Sequence, residues 1–150
     1  LEKYIETYRE ENRQPVPELT LISFDGNEIE LKKQKGKILF VNFFSPNCGS
    51  CRHELPKIKE IYDQYSSRQD IVFLFILDKP KMRDDSIELL DEYGYKDVSI
   101  FTVKSASAWD YIKGEPTTWI IDRDGKFAYR HLGYKSGIEE IYKQELNKLL

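Results

Sequence analysis

A chain of 150 residues suits one domain with a single buried core, and 40% hydrophobic against 33% charged residues excludes a disordered protein. The net charge of −3, with both signs mixed along the chain, offers no footprint for a phosphate backbone, so no nucleic-acid partner is expected. No apolar run approaches the roughly 20 residues needed to span a bilayer.

Residues 1–14 are polar, with Leu1, Ile5 and Tyr8 at helical spacing, and predict a short amphipathic helix. Pro15 and Pro17 end it, so residues 1–15 are expected to be a helical extension ahead of a main domain over 16–150. The β-like runs at 19–24 and 28–31 flank Asp25-Gly26, a hairpin signal. Residues 37–44 are almost wholly apolar, as in a strand buried on both faces. After Cys48, the stripe Leu55, Ile58, Ile61, Tyr62 and Tyr65 predicts a helix that Pro56 should kink.

Residues 71–77 read as the next buried strand, and 84–93 as a helix ended by Gly94. A short strand at 98–103 and a short helix at 106–112 follow. Strands at 117–121 and 126–131 are joined by the turn sequence Asp122-Arg123-Asp124-Gly125. A last helix over 136–150 puts Ile138, Ile141, Tyr142, Leu146 and Leu149 on one side. This order predicts an α/β architecture with a central sheet. The chain begins at Leu1 rather than Met, which reads as a trimmed portion of something longer, with room for an export signal or membrane anchor upstream.

Only two cysteines occur, Cys48 and Cys51, too few for a disulfide scaffold. A buried strand ends just before them and a helix begins near Gly49, which places Cys48 at a helix N-terminus. Free N–H groups and the helix dipole favour a thiolate there, and the thiolate is the form that attacks a disulfide. Cys51, one turn later, is within reach of a mixed disulfide on Cys48. Half a zinc site is the rival reading, but zinc asks for four ligands and no second cysteine pair exists.

The segment from Val41 to Pro56 resembles the active site of thioredoxins, and more closely that of the TlpA/ResA branch of extracytoplasmic thiol–disulfide oxidoreductases. Asn42 stands where ordinary thioredoxins have a buried Asp, and Glu54 matches an acid found in the ResA group. The run from Gly114 to Gly125 is similar to the family's cis-proline strand and turn. Residues 78–107 are similar to the branch's αβ insertion.

The resemblance implies a thioredoxin fold over 16–150: a central mixed β-sheet flanked by helices, with an N-terminal β-hairpin and that insertion. It implies that Cys48 is the nucleophile, Cys51 the resolving thiol and Glu54 a proton acceptor for Cys51, its pKa raised by partial burial. Pro116 is expected to be cis, shaping a groove in which the Glu115 backbone pairs with substrate. On the residues alone, Glu54 reads as a solvated charge in the first turns of a helix, a reading that the resemblance brings level with the proton acceptor; Pro116 could be an edge-strand proline, but its place before an apolar strand favours the cis reading.

Partners implied are proteins carrying disulfides or dithiols and an unidentified redox donor, with no cofactor and no metal, at an extracytoplasmic site in a bacterium. Two departures stand out. Asn47 replaces the family's usual aromatic residue before the first cysteine, and Ser50 replaces thioredoxin's Pro. The second predicts a redox potential above the roughly −270 mV of thioredoxin. Two other functions use the same fold. A Sco-type copper metallochaperone would enlist His131 but has three residues between its cysteines. A peroxiredoxin-like peroxidase needs a Thr where Ser45 stands.

Overall fold

The uniformly buried strand Ile38–Phe44 (β4) lies inside an eight-stranded mixed sheet in a computed structural model that describes residues 5–104, 112 and 114–150. The other strands are Ile5–Thr7 (β1), Thr20–Ser23 (β2), Glu28–Glu30 (β3), Ile71–Leu77 (β5), Ile100–Val103 (β6), Thr117–Ile121 (β7) and Phe127–Leu132 (β8). Their order across the sheet is β1-β8-β7-β4-β5-β6-β2-β3. β4 pairs in parallel with β5, and β5 with β6, whereas β7, β8 and the β2–β3 hairpin pair antiparallel. The helices are Gly49–Tyr65 (α1), Arg83–Glu92 (α2) and Ile138–Asn147 (α3).

Side chains alternate across a strand, and β4 uses both faces. Leu39, Val41 and Phe43 join Val16, Leu19, Leu31, Trp119 and Ile121 in one apolar cluster. Ile38, Phe40 and Phe44 point the other way, into a cluster with Leu55, Ile58 and Ile61 of α1 and Ile138, Tyr142 and Leu146 of α3. By the same parity Asn42 faces the helices. Thr118 of β7, its register partner, does too. A polar pair is thus delivered beneath α1.

The predicted hairpin, the central strands and the thioredoxin-type sheet with its αβ insertion are all present. Gly26 in the hairpin turn has φ +93° and Gly94 after α2 has φ +86°, the left-handed conformations that both turns require. α1 continues through Pro56, which sits on its exposed side. The expected helix at 106–112, with Trp109, lies outside the described residues apart from Ile112.

The helix expected over residues 1–14 is corrected. Ile5–Thr7 is a strand paired antiparallel with β8 through Ile5↔His131 and Thr7↔Tyr129, and Glu10–Asn12 is a single 3₁₀ turn. A helix this short is marginal by itself, whereas the free edge of β8 offers a ready row of backbone partners. Residues 1–4 lie outside the description.

Candidate active site

Cys48 is the N-cap of α1, with extended backbone (φ −99°, ψ 114°), and its sulfur accepts the Cys51 N–H at 3.1 Å. The two cysteines form a disulfide with their Cα atoms 5.2 Å apart. They differ in access: Cys48 is half-buried, while Cys51 is 0% exposed beneath it. The preceding loop is tied down by Arg52, whose Nε donates to the Pro46 carbonyl at 2.7 Å.

The Glu115–Pro116 peptide is cis, and the Glu115 carbonyl oxygen lies 3.6 Å from the Cys48 sulfur. Pro116 is buried, and its own carbonyl accepts from Gly133 N–H at 2.8 Å. The edge-strand reading of Pro116 gives way, because β7 that follows it is paired on both sides.

Asn47 is exposed, and its Oδ1 accepts from Lys79 Nζ at 3.1 Å and from Ser45 Oγ. Lys79 Nζ is also 3.6 Å from Glu115 Oε1. One ammonium group therefore joins Asn47 and Glu115, two residues singled out from the sequence. Lys79 itself gave no sequence signal beyond a charge ahead of Pro80. Next to this clasp runs an open groove of about 540 Å³, lined by Pro46, Asn47, Arg52, Met82, Glu88 and neighbours.

Glu54 is not a solvated charge. It is 0% exposed, among the buried residues of α1 that run Cys51, Glu54, Leu55, Ile58, Ile61 and Tyr65. The helical stripe itself held this signal, since position 54 is one turn before Ile58 and one turn after Cys51. The Oε1 atom of Glu54 receives Asn42 Nδ2 at 3.0 Å, Thr118 Oγ1 at 3.1 Å and Tyr142 OH at 3.3 Å. Burial pushes its pKa up from 4.5 to about 8, against the opposing pull of those three donors. The burial is complete rather than partial. Thr118 and Tyr142 were not readable as site residues, because their partners come from other elements of the fold.

The copper and peroxidase alternatives find no support. His131 is 4% exposed, its Nδ1 lies 2.9 Å from the Tyr129 hydroxyl, and burial pushes its pKa down to about 4. Among the described residues, no three His, Cys, Asp or Glu side chains are grouped to hold a metal ion. Ser45 directs its hydroxyl to Asn47 Oδ1, with Met82 Sδ 3.8 Å away, rather than to the Cys48 sulfur.

The family model of the AhpC/TSA family matches residues 13–130. The thiol-disulfide oxidoreductase ResA of Bacillus thuringiensis (strain Al Hakam) is 30% identical over 118 residues, which is 78% of this chain and 67% of that protein. Among solved structures, a DsbF homologue from Corynebacterium diphtheriae superposes with a TM-score of 0.78 at 17% identity, covering 97% of this chain and 93% of that one. The pneumococcal exposed lipoprotein thioredoxin from Streptococcus pneumoniae does so with a TM-score of 0.69 at 23% identity, covering 89% and 100%. Those two share the fold. The chain belongs to the AhpC/TSA family, as a thioredoxin-fold thiol–disulfide oxidoreductase of the TlpA/ResA type that exchanges disulfides through its Cys48–Cys51 pair.

Proposed function

We propose that Cys48 is the attacking sulfur, Cys51 the resolving one, and Glu54 the group that accepts the Cys51 proton. The observation that carries this reading is the difference in access within one disulfide: only Cys48 is open to a partner, and it alone sits at the N-cap. In the reducing direction the Cys48 thiolate attacks a substrate disulfide, and the first substrate sulfur leaves as a thiolate. Cys51 then gives its proton to Glu54 and attacks the Cys48 sulfur, breaking the mixed disulfide and releasing the second substrate thiolate. The substrate gains two electrons and two protons, and the dithiol loses them. An external dithiol donor restores the reduced pair.

The substrates are proteins with accessible disulfides or dithiols, docking along the Glu115–Pro116 edge and Asn47. The resemblance to ResA, a thiol-disulfide oxidoreductase, and to a lipoprotein described as exposed supports an extracytoplasmic site of action on exported proteins. No helix among the described residues is long and apolar enough to cross a membrane.

The test is mixed-disulfide trapping with a disulfide-bonded peptide. Cys51→Ala should accumulate a covalent adduct that a small thiol releases, and Cys48→Ala should form none. Equal trapping by both variants, or by neither, overturns the assignment.

A further inference from the structure

The carboxyl of Glu54 is held asymmetrically. All three of its donors, Asn42, Thr118 and Tyr142, converge on Oε1. Its second oxygen, Oε2, is buried and has no hydrogen-bond partner among the described residues. The donors are also linked to one another. Thr118 Oγ1 receives Asn42 Nδ2 at 3.0 Å, and the single Tyr142 hydroxyl proton is shared between Thr118 Oγ1 at 3.1 Å and Glu54 Oε1 at 3.3 Å. With both acceptor positions of Thr118 filled in this way, its single proton is left to point at Glu54 Oε1.

We propose that Tyr142 and Thr118 are positioning residues that make Oε1 the permanent acceptor of the Glu54 carboxyl and leave Oε2 as the atom that binds and releases its proton. A neutral carboxylic acid has one oxygen that only accepts and one that carries hydrogen, and this cradle matches that division. A buried hydroxyl without an acceptor is unfavourable, so the proton on Oε2 is poised to leave for a base brought into the site. Cys51, one turn away on the same buried face of α1, supplies that base when its sulfur is freed as a thiolate. The inference rests on the reading of Glu54 as the proton acceptor.

The surroundings support this division of labour. The titratable groups that face Glu54 are Tyr142 on α3, Tyr95 after α2, Tyr129 on β8 and Cys51 on its own helix. Burial, together with nearby carboxylates, holds all three tyrosines above their ordinary range, so they act as donors and not as competing acceptors. Tyr95 hydroxyl is committed to the Leu55 carbonyl, and Tyr129 to His131. His131, whose ring lies 6.2 Å from that of Tyr142, is neutral above a pH of about 4.

The experiment is a carbon-13 NMR titration of the Glu54 carboxyl in the oxidised protein, compared among wild type, Tyr142→Phe, Thr118→Val and Thr118→Ser. Each donor to Oε1 stabilises the ionised form, so losing one raises the midpoint. Tyr142→Phe and Thr118→Val should shift it up by about one pH unit. Thr118→Ser, which keeps the hydroxyl, should return it to the wild-type value. Unchanged midpoints in folded Tyr142→Phe and Thr118→Val overturn the proposal. The rate of mixed-disulfide resolution in Glu54→Gln tests the acceptor reading separately: a wild-type rate there defeats that reading without touching the titration result.

Discussion

The two faces of β4 are equally buried but built from opposite materials. Towards α1 and α3, Asn42 interrupts the apolar row and anchors a network of Glu54, Thr118 and Tyr142. On the far side Leu39, Val41 and Phe43 meet Trp119, Ile121 and Phe127 with no comparable network among the described residues. Phe43 and Trp119 pack edge-to-face with ring centroids 4.8 Å apart, and Trp119 repeats the arrangement with Phe127 at 5.0 Å. The contrast separates two tasks. The far face makes the sheet hold together through apolar area and close packing. The helix side accepts a buried carboxyl, which is unfavourable, and thereby gains a group that titrates near neutral pH next to a reactive sulfur.

Damage to the apolar face should produce the largest loss of stability. Phe43→Ala removes a side chain with 0% exposure that packs against the Trp119 ring and should cost about 3–5 kcal/mol in chemical denaturation. The Cys48–Cys51 bridge should still form in whatever fraction remains folded.

On the helix side, shape and charge can be pulled apart. Glu54→Ala removes the acceptor on which the buried donors Asn42, Thr118 and Tyr142 converge and should cost about 1–3 kcal/mol, measured the same way. Glu54→Gln keeps an acceptor oxygen for them and resembles the protonated acid, so it should be far milder at neutral pH. If the two variants were equally unstable, the donors would not be what Glu54 serves.

The pH dependence sharpens the comparison further. Between the unfolded value of 4.5 and the folded value of about 8, the native state binds the Glu54 proton and the unfolded chain does not. This contribution is full below 4.5 and is lost as pH rises through about 8. His131 acts in the opposite sense: its folded pKa of about 4 lies below 6.5, so its contribution is present above 6.5 and fades as pH falls towards 4. Glu54→Gln should abolish the decline between 4.5 and about 8, so that the opposing rise contributed by His131 between about 4 and 6.5 is no longer offset. A wild-type profile in that variant would remove Glu54 as its source.

The smallest effect on stability is expected at the rim. Lys79 is partly exposed, so Lys79→Met should change folding stability by less than about 1 kcal/mol. It also releases Asn47 and Glu115 from a shared ammonium, and KM for a protein disulfide should move while the reactivity of Cys48 towards a small disulfide stays put.

Much of the site could be read in one dimension because its parts are close along the chain. A buried strand, a tight loop, Cys48 and the start of a helix follow one another, and strand–loop–helix geometry puts the sulfur at the N-cap. The strands β4, β5 and β7 were legible for a similar reason, as short apolar runs bounded by turn residues. Glu54 was half-legible: the stripe of α1 marks its position as inward, but a charged side chain argues for solvent until a pocket of donors in need of an acceptor is seen.

What only the tertiary structure decided lies in contacts made across the chain. Asn42, Thr118 and Tyr142 stand 12, 64 and 88 positions from Glu54, and no local pattern says that a β4 amide, a β7 hydroxyl and an α3 phenol will meet at one oxygen. The fate of residues 5–7 was decided in the same way, by a free edge on β8 that outweighed a weak helical pattern. Periodicity reports which side of an element turns inward. The partner waiting there is set by how distant elements pack, and that is where the proton chemistry of this protein was assembled.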